Sequence, residues 1–368
     1  MTDKPVPFRV LCLDGGGMRG LYTAVLLHTL CFRFNSNQEK DIGSAFDLIV
    51  GTSTGGILAT ALAYGVPTSE IIRFYNEQGS QIFPNPLPNE NEGFLSFLGW
   101  TGRRTVAAPK GHEALKNALY SVFKDTSVKE LYERRKIGLC IPTVRMENRK
   151  AWVFKTPHNP GKNRDDNYKL VDVCLATSAA PLLLPLVAIN SPDIPGKYDV
   201  FTDGGLWMNN PVLAGLIEAL HMTSEDQEIE IISVGTASPP TGRTIDKDAL
   251  NWGLLPDAWK GGIGIAETAM DAQSFAAEKM AEQLLPHLAR KNVSVLRLPH
   301  TPPSSEQAKH VGIDKSYDLA TKAMSDMGRS DAEEIHSKSM RSNPGEFEVL
   351  KNIFTIMNDF KNWNQEAA

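Results

Sequence analysis

Short apolar runs that stop at glycine, each followed by a segment of helical spacing, set the pattern of the first part of the chain. Phe8–Leu13 is such a run; it ends at Asp14-Gly15-Gly16-Gly17 and predicts a buried parallel strand. Leu21–Phe34 then repeats its apolar residues with helical spacing. Phe46–Val50 predicts a second strand, again closed by glycine, and the small apolar residues of Ile57–Tyr64 predict a helix packed closely on the sheet. Strand, glycine turn and helix in alternation signal βαβ units, so the expected fold class is α/β with a central, mostly parallel sheet. Further strands are expected at Ile137–Val144, Ala151–Lys155, Asp199–Phe201, Ile229–Val234 and Val293–Leu298. Helices are expected at Leu170–Ser178, Pro211–His221, Ile263–Leu288, Asp314–Met327 and Phe347–Phe360. The proline- and asparagine-rich Phe83–Gly93 and the polar Pro157–Asn167 predict loops, and Ala237–Asp248 a linker.

Composition removes several alternatives. With 42% hydrophobic and 22% charged residues over 368 positions the chain has ordinary globular character, and is long enough for two domains or one large one. Lysine and arginine number 38 against 43 aspartate and glutamate, a net charge of -5. That balance argues against a protein built to coat a nucleic acid polymer, and denies it a general attraction to anionic membranes. Cys12, Cys31, Cys140 and Cys174 have apolar neighbours and no C-x-x-C spacing, and are expected to be buried thiols in a reducing compartment. The N-terminus lacks the apolar stretch of a signal peptide. Val173–Pro192, the longest uncharged stretch, is broken by prolines and polar residues and reads as core, so a cytoplasmic protein is expected.

Three glycine-containing clusters stand at the C-terminal ends of predicted strands, the edge where open parallel sheets bind ligands. Asp14-Gly15-Gly16-Gly17-Met18-Arg19-Gly20 fits G-x-G-x-x-G. Alone it is either a dinucleotide loop or an oxyanion hole, since successive glycines expose backbone N–H groups near a helix N-terminus. The dinucleotide fingerprint asks for an acidic residue at the end of the second strand, which ends instead in Val50-Gly51-Thr52-Ser53. Gly51-Thr52-Ser53-Thr54-Gly55 is G-x-S-x-G between a strand and a small apolar helix. It suits a sharp turn that lifts a serine hydroxyl out of the sheet; a glycine-rich turn with a capping serine uses the same residues. Asp203-Gly204-Gly205 is either a plain β-turn or a carboxylate set at a strand end. A serine nucleophile needs a base: a histidine oriented by an acid, or a carboxylate acting directly. His221, His287, His300, His310 and His336 follow Asp203, and only His300 comes just after a predicted strand.

Together the three clusters, in this order and spacing, resemble the patatin-like phospholipase family over residues 7–237. Ala176-Thr177-Ser178-Ala179-Ala180-Pro181, Asn209-Asn210-Pro211 and Val234-Gly235-Thr236 resemble it more weakly. The resemblance implies a three-layer α/β fold with residues 7–237 as catalytic core. Residues 238–368 are then a mostly helical part packed on that core, open to regulatory or homo-oligomer contacts. It implies a serine–aspartate dyad without histidine: Ser53 as nucleophile, Asp203 as base, and Gly15, Gly16, Gly17 and Arg19 at the oxyanion hole. Gly20, Gly51, Gly55, Gly204 and Gly205 complete the motifs. It implies fatty-acyl ester hydrolysis on phospholipids, with no metal or cofactor in the chemical step; no metal-ligand cluster is recognisable in the sequence. Met208 stands where many members have a small residue before Asn-Asn-Pro, which bears on the shape of the acyl pocket. The overall resemblance is greatest to compact bacterial members that act in anti-phage defence. It thereby implies activation by a cyclic oligonucleotide and action on the inner membrane from the cytoplasm. A docking surface is expected among Phe83, Leu87, Phe94, Leu95, Phe97, Leu98 and Trp100, followed by Arg103 and Arg104; the same residues suit a buried helix equally.

Overall fold

The computed structural model describes residues 6–84, 86, 94–237, 263–289 and 292–361, with the backbone alone at 94–98, 101, 104–106 and 263. Its centre is an eight-stranded sheet. The strands are β1 (Phe8–Leu13), β2 (Leu48–Gly51), β3 (Gly138–Arg145), β4 (Lys150–Lys155), β5 (Val187–Asn190), β6 (Tyr198–Asp203), β7 (Ile229–Val234) and β8 (Val293–Arg297). They lie in the order β5-β6-β3-β2-β1-β7-β8, with β4 paired beside β3. The run β3-β2-β1-β7-β8 is parallel, while β4, β6 and β5 join through antiparallel pairings. The sheet is mostly parallel, as the βαβ pattern requires.

Alternation along β1 divides the core in two. Leu11 and Leu13 point into a large cluster built from α1 (Gly20–Phe34), α2 (Thr54–Tyr64), α3 (Thr68–Ile82), α4 (Phe94–Phe123), α5 (Val128–Arg135) and α6 (Leu170–Thr177). Val10 and Cys12 point to the other face. That face is covered, after the short α7 (Gly205–Met208), by α8 (Val212–Met222) and α9 (Ile263–Leu284). The short α10 (Ser305–Ala308), α11 (Asp318–Ser339) and α12 (Glu348–Thr355) follow, and α11 and α12 return to pack on α1. Helix, sheet and helix form three layers, and the chain after residue 237 supplies β8 to the same sheet.

Several expectations shift. α11 starts later and runs further than Asp314–Met327, and α12 is shorter than Phe347–Phe360. Phe94–Trp100 opens the long α4. Most of Phe83–Gly93 and nearly all of Ala237–Asp248 lie outside the described residues. All four cysteines are buried and unpaired. Among the described residues no helix is long and apolar enough to cross a membrane.

Candidate active site

Sheet register brings the second and third clusters to one level. Val50 of β2 is level with Cys140 of β3, and Asp203 of β6 is level with Thr143, further along the same edge of β3, with β4 on the other edge. Ser53 lies three residues beyond Val50, as Thr143 lies three beyond Cys140, so Ser53 and Asp203 come level on one edge of β3. Ser53 Oγ donates to Asp203 Oδ2 at 2.6 Å, and both residues are buried. Ser53 has φ 56° and ψ -128°, a conformation that side chains rarely adopt and that turns β2 sharply into α2. The turn closes tightly because Gly51 and Gly55 carry no Cβ: one at Gly51 would overlap the Gly55 carbonyl, and one at Gly55 the Leu13 and Asp14 carbonyls. Ser53 N–H donates to Thr177 Oγ1 at 2.9 Å, and Thr177 Oγ1 donates to Pro142 O at 2.6 Å. Asp203 N–H donates to Ala179 O at 3.0 Å, so the Ala176–Pro181 stretch buttresses both groups.

Burial pushes the Asp203 carboxyl up to about 7, although the Ser53 hydroxyl and the Gly205 N–H, 2.7 Å from Oδ1, partly offset it. No positive side chain enters that balance. No histidine lines the cleft around Ser53, and His300 is not in contact with the pair.

The glycine loop follows β1 directly. Gly15 N–H donates to Asn209 O at 3.0 Å and Arg19 N–H to Gly16 O at 3.1 Å. These two expected oxyanion donors are thus already engaged, while the N–H groups of Gly16 and Gly17 have no protein acceptor among the described residues. Gly17 has φ 58°, and a Cβ there would overlap the Ile313 carbonyl, which accepts from Met18 N–H at 2.8 Å. Arg19 is buried. Its Nε donates to Gly16 O at 3.3 Å; burial lowers its pKa, and Asp271 and Glu267 on α9 oppose that. Asp14 forms a two-point pair with Arg297 of β8, at 3.0 and 2.5 Å, and Arg297 also donates to Ser233 Oγ at 2.8 Å.

A cleft of about 940 Å³, its open mouth included, leads away from Ser53 and Asp203. Its apolar lining beside a hydroxyl and a carboxyl suits a small-molecule or acyl site. Its walls are mostly apolar, among them Ile57, Phe74, Ile82, Leu115, Leu183 and Leu184. α9 contributes Ala266, Glu267 and Met270 to the wall. The same helix braces Asn209 and Asn210 through Ser274 Oγ and Gln273 Oε1, each at 3.0 Å. Met208 is not in the wall; its carbonyl accepts from Thr52 Oγ1 at 2.7 Å.

The family model described as patatin-like phospholipase matches residues 11–216, more than half of the chain. A cGAMP-activated phospholipase of Pseudomonas aeruginosa is 34% identical over 337 residues, covering 90% of each chain. The chain belongs to the patatin-like phospholipase family. This patatin-like phospholipase is a lipid acyl hydrolase. It is also similar to a cGAMP-activated phospholipase of Vibrio cholerae, 31% identical over 344 residues, with 90% of this chain and 92% of the relative covered. Among solved structures, human GIVD cytosolic phospholipase A2 aligns over 95% of this chain and 61% of its own, with a TM-score of 0.46 and 9% identity.

The structure bears on two further expectations about the patatin-like phospholipase. Phe83 and Trp100 are buried, Phe83 in the cleft wall, so neither projects as a surface anchor. Leu87 and the side chains of Phe94, Leu95, Phe97, Leu98 and Arg104 lie outside the described residues; Arg103 is exposed. A potential metal-ligand trio does exist: Cys140, His158 and Glu218 are buried together beneath β3 and α8. Sequence spacing hides it, because the three come from distant segments. Glu218 already accepts from His158 Nε2 at 3.1 Å and from Lys155 and Asn159; against burial, which raises it, His158 and Lys155 pull its carboxyl down to about 2. With an ammonium already on the carboxylate, the trio is explained as an ion-pair plug.

Proposed function

We propose that Ser53 is the nucleophile and Asp203 the general base of a phospholipid acyl hydrolase that is switched on by a cyclic oligonucleotide. The observation that carries the catalytic reading is the 2.6 Å hydrogen bond from Ser53 Oγ to Asp203 Oδ2 at the head of an apolar cleft. Asp203 takes the hydroxyl proton as Ser53 Oγ attacks the ester carbonyl. The oxyanion that forms is met by the N–H groups of Gly16 and Gly17, each such donor contributing about 3–4 kcal/mol in serine hydrolases. Asp203 then returns the proton to the departing alcohol or lysolipid oxygen. Water, deprotonated by the same carboxylate, cleaves the acyl-enzyme and releases fatty acid. The acyl chain occupies the cleft. Gly20, Gly51, Gly55 and Gly204 serve close packing, and Gly205 orients the base.

The dyad belongs to residues 7–237, while 238–368 supply α9, β8 and Ile313 around the glycine loop and form the controlling part. Similarity over nine-tenths of the chain to two cGAMP-activated phospholipases supports the cyclic nucleotide as activator. The protein then acts at the membrane from the cytoplasm. The test is lipid mass spectrometry on phospholipid vesicles with wild type and Ser53→Ala, each with and without cGAMP and a panel of other cyclic di- and trinucleotides. Fatty acid is expected from wild type with a nucleotide present. Release by Ser53→Ala refutes the nucleophile, and equal release without nucleotide refutes the switch.

A further inference from the structure

The segment Pro181-Leu182-Leu183-Leu184-Pro185-Leu186 turns back beside the mouth of the cleft. Leu183 and Leu184 are buried and line it. Leu182 and Leu186 face the other way, 49% and 52% exposed. Leu206, on the cleft wall, is 41% exposed, and Ile265, next to the cleft-lining Ala266, is 49% exposed. Single exposed aliphatic residues are ordinary on any surface, but these gather around the entrance to an apolar site.

Backbone conformation supplies an independent observation. Leu182 has φ 69°. Every other non-glycine residue of positive φ among the described residues is polar: Ser36, Asn37, Ser53, Lys124, Lys136 and Arg149. The left-handed region disfavours a bulky side chain, and glycine or asparagine would satisfy the same turn without that cost. Folding therefore has no use for leucine at 182: the side chain is half in water and its backbone is strained. Strain of this kind persists where function requires it, as at Ser53.

Resting on the phospholipase reading above, we infer that Leu182 and Leu186, with Leu206 and Ile265 beside them, insert into the surface of a phospholipid bilayer and seat the cleft mouth against it. Charge selects the mode of attachment. No lysine or arginine among the described residues lines the cleft, and the whole chain carries a net charge of -5. Docking therefore proceeds by burial of aliphatic surface and is nearly indifferent to salt and to headgroup charge.

The test is flotation with phosphatidylcholine vesicles and with vesicles containing phosphatidylglycerol, at low and high salt, with and without cGAMP. Leu182→Asp and Leu186→Asp are each expected to weaken vesicle partition about tenfold, and the double variant about a hundredfold. Leu182→Gly separates docking from folding: it should melt at or above the wild-type temperature yet partition less. Hydrolysis of a soluble short-chain p-nitrophenyl ester should be unchanged in all of these variants. Flotation needs no turnover, so absence of Ser53-dependent fatty acid release refutes the proposed function and leaves this readout intact. The inference is overturned if wild type fails to float in both nucleotide arms, or if binding disappears at high salt. It is also overturned if the double variant floats like wild type, including the case where it changes only sedimentation and so assigns the patch to a second copy of the chain.

Discussion

Replacing Asp203 by asparagine should make the protein more stable while removing its activity. The carboxyl is held at about 7 against an ordinary value of 3.8, and burial is the cause. Folded Asp203 therefore binds its proton more tightly than the unfolded chain does, so folding stability falls as pH rises from about 4 to about 7 and is flat beyond. Below about pH 4 the proton is on in both states and nothing is lost. A shift of three units at 1.36 kcal/mol each amounts to about 4 kcal/mol at pH 8. Asparagine avoids that cost. Its Oδ1 still accepts from Gly205 N–H and its Nδ2 can donate to Ser53 Oγ, so both contacts survive. The expected gain is about 2–4 kcal/mol at pH 8, shrinking toward zero at pH 4. Denaturant titrations of wild type and Asp203→Asn at several pH values read the difference directly. A variant less stable than wild type at pH 8, or a difference independent of pH, would refute the argument that burial sets this carboxyl.

The same value governs rate: the base works only when ionised, so kcat/KM on a soluble ester should fall about tenfold per pH unit below about 7, and a profile flat to pH 5 would exclude Asp203 as base. Gly17→Ala forces a Cβ into the Ile313 carbonyl at a positive φ, and should lower kcat by about 10²–10³ through displaced oxyanion donors, measured beside an unchanged far-ultraviolet spectrum. Arg297→Gln leaves the buried Asp14 carboxylate without its partner beneath the glycine loop; activity should drop and be largely restored by adding Asp14→Asn, read as a double-mutant cycle in kcat. Glu218→Gln breaks the buried plug under β3 and should cost about 3–5 kcal/mol in chemical denaturation with kcat unchanged in the folded fraction.

Legibility in the sequence followed the locality of the physical cause. β1, β7 and α6 are read almost to the residue because buried strands are continuous apolar runs and α6 is apolar nearly throughout. α3 is passed over although Ile71, Tyr75, Gly79 and Ile82 keep helical spacing; its exposed polar residues and the glycine near its end dilute the signal. The four-residue β5 is an edge strand among prolines, which propensity disfavours and only its pairing with β6 creates. At the site, Ser53 and Asp203 are visible as strand-end motifs, and their meeting follows from register along one edge of β3. Which glycine N–H groups are free is not visible. Gly15 is engaged by Asn209, nearly two hundred residues on, and no local pattern encodes that pairing. Arg297 and Ile313 lie in segments that carry no motif at all, and only tertiary contact discloses their hold on the loop.

That hold has a consequence for synthesis. Ser53 leaves the ribosome early, but Arg297 and Ile313, which brace Asp14 and Met18, emerge roughly 240–260 residues later, or some 10–50 s at elongation rates of about 5–20 residues per second. A nascent chain thus carries Ser53 for most of translation without the residues that brace the glycine loop. On the proposed reading, a fragment that stops short of Ile313 lacks the brace of the glycine loop and should release no fatty acid.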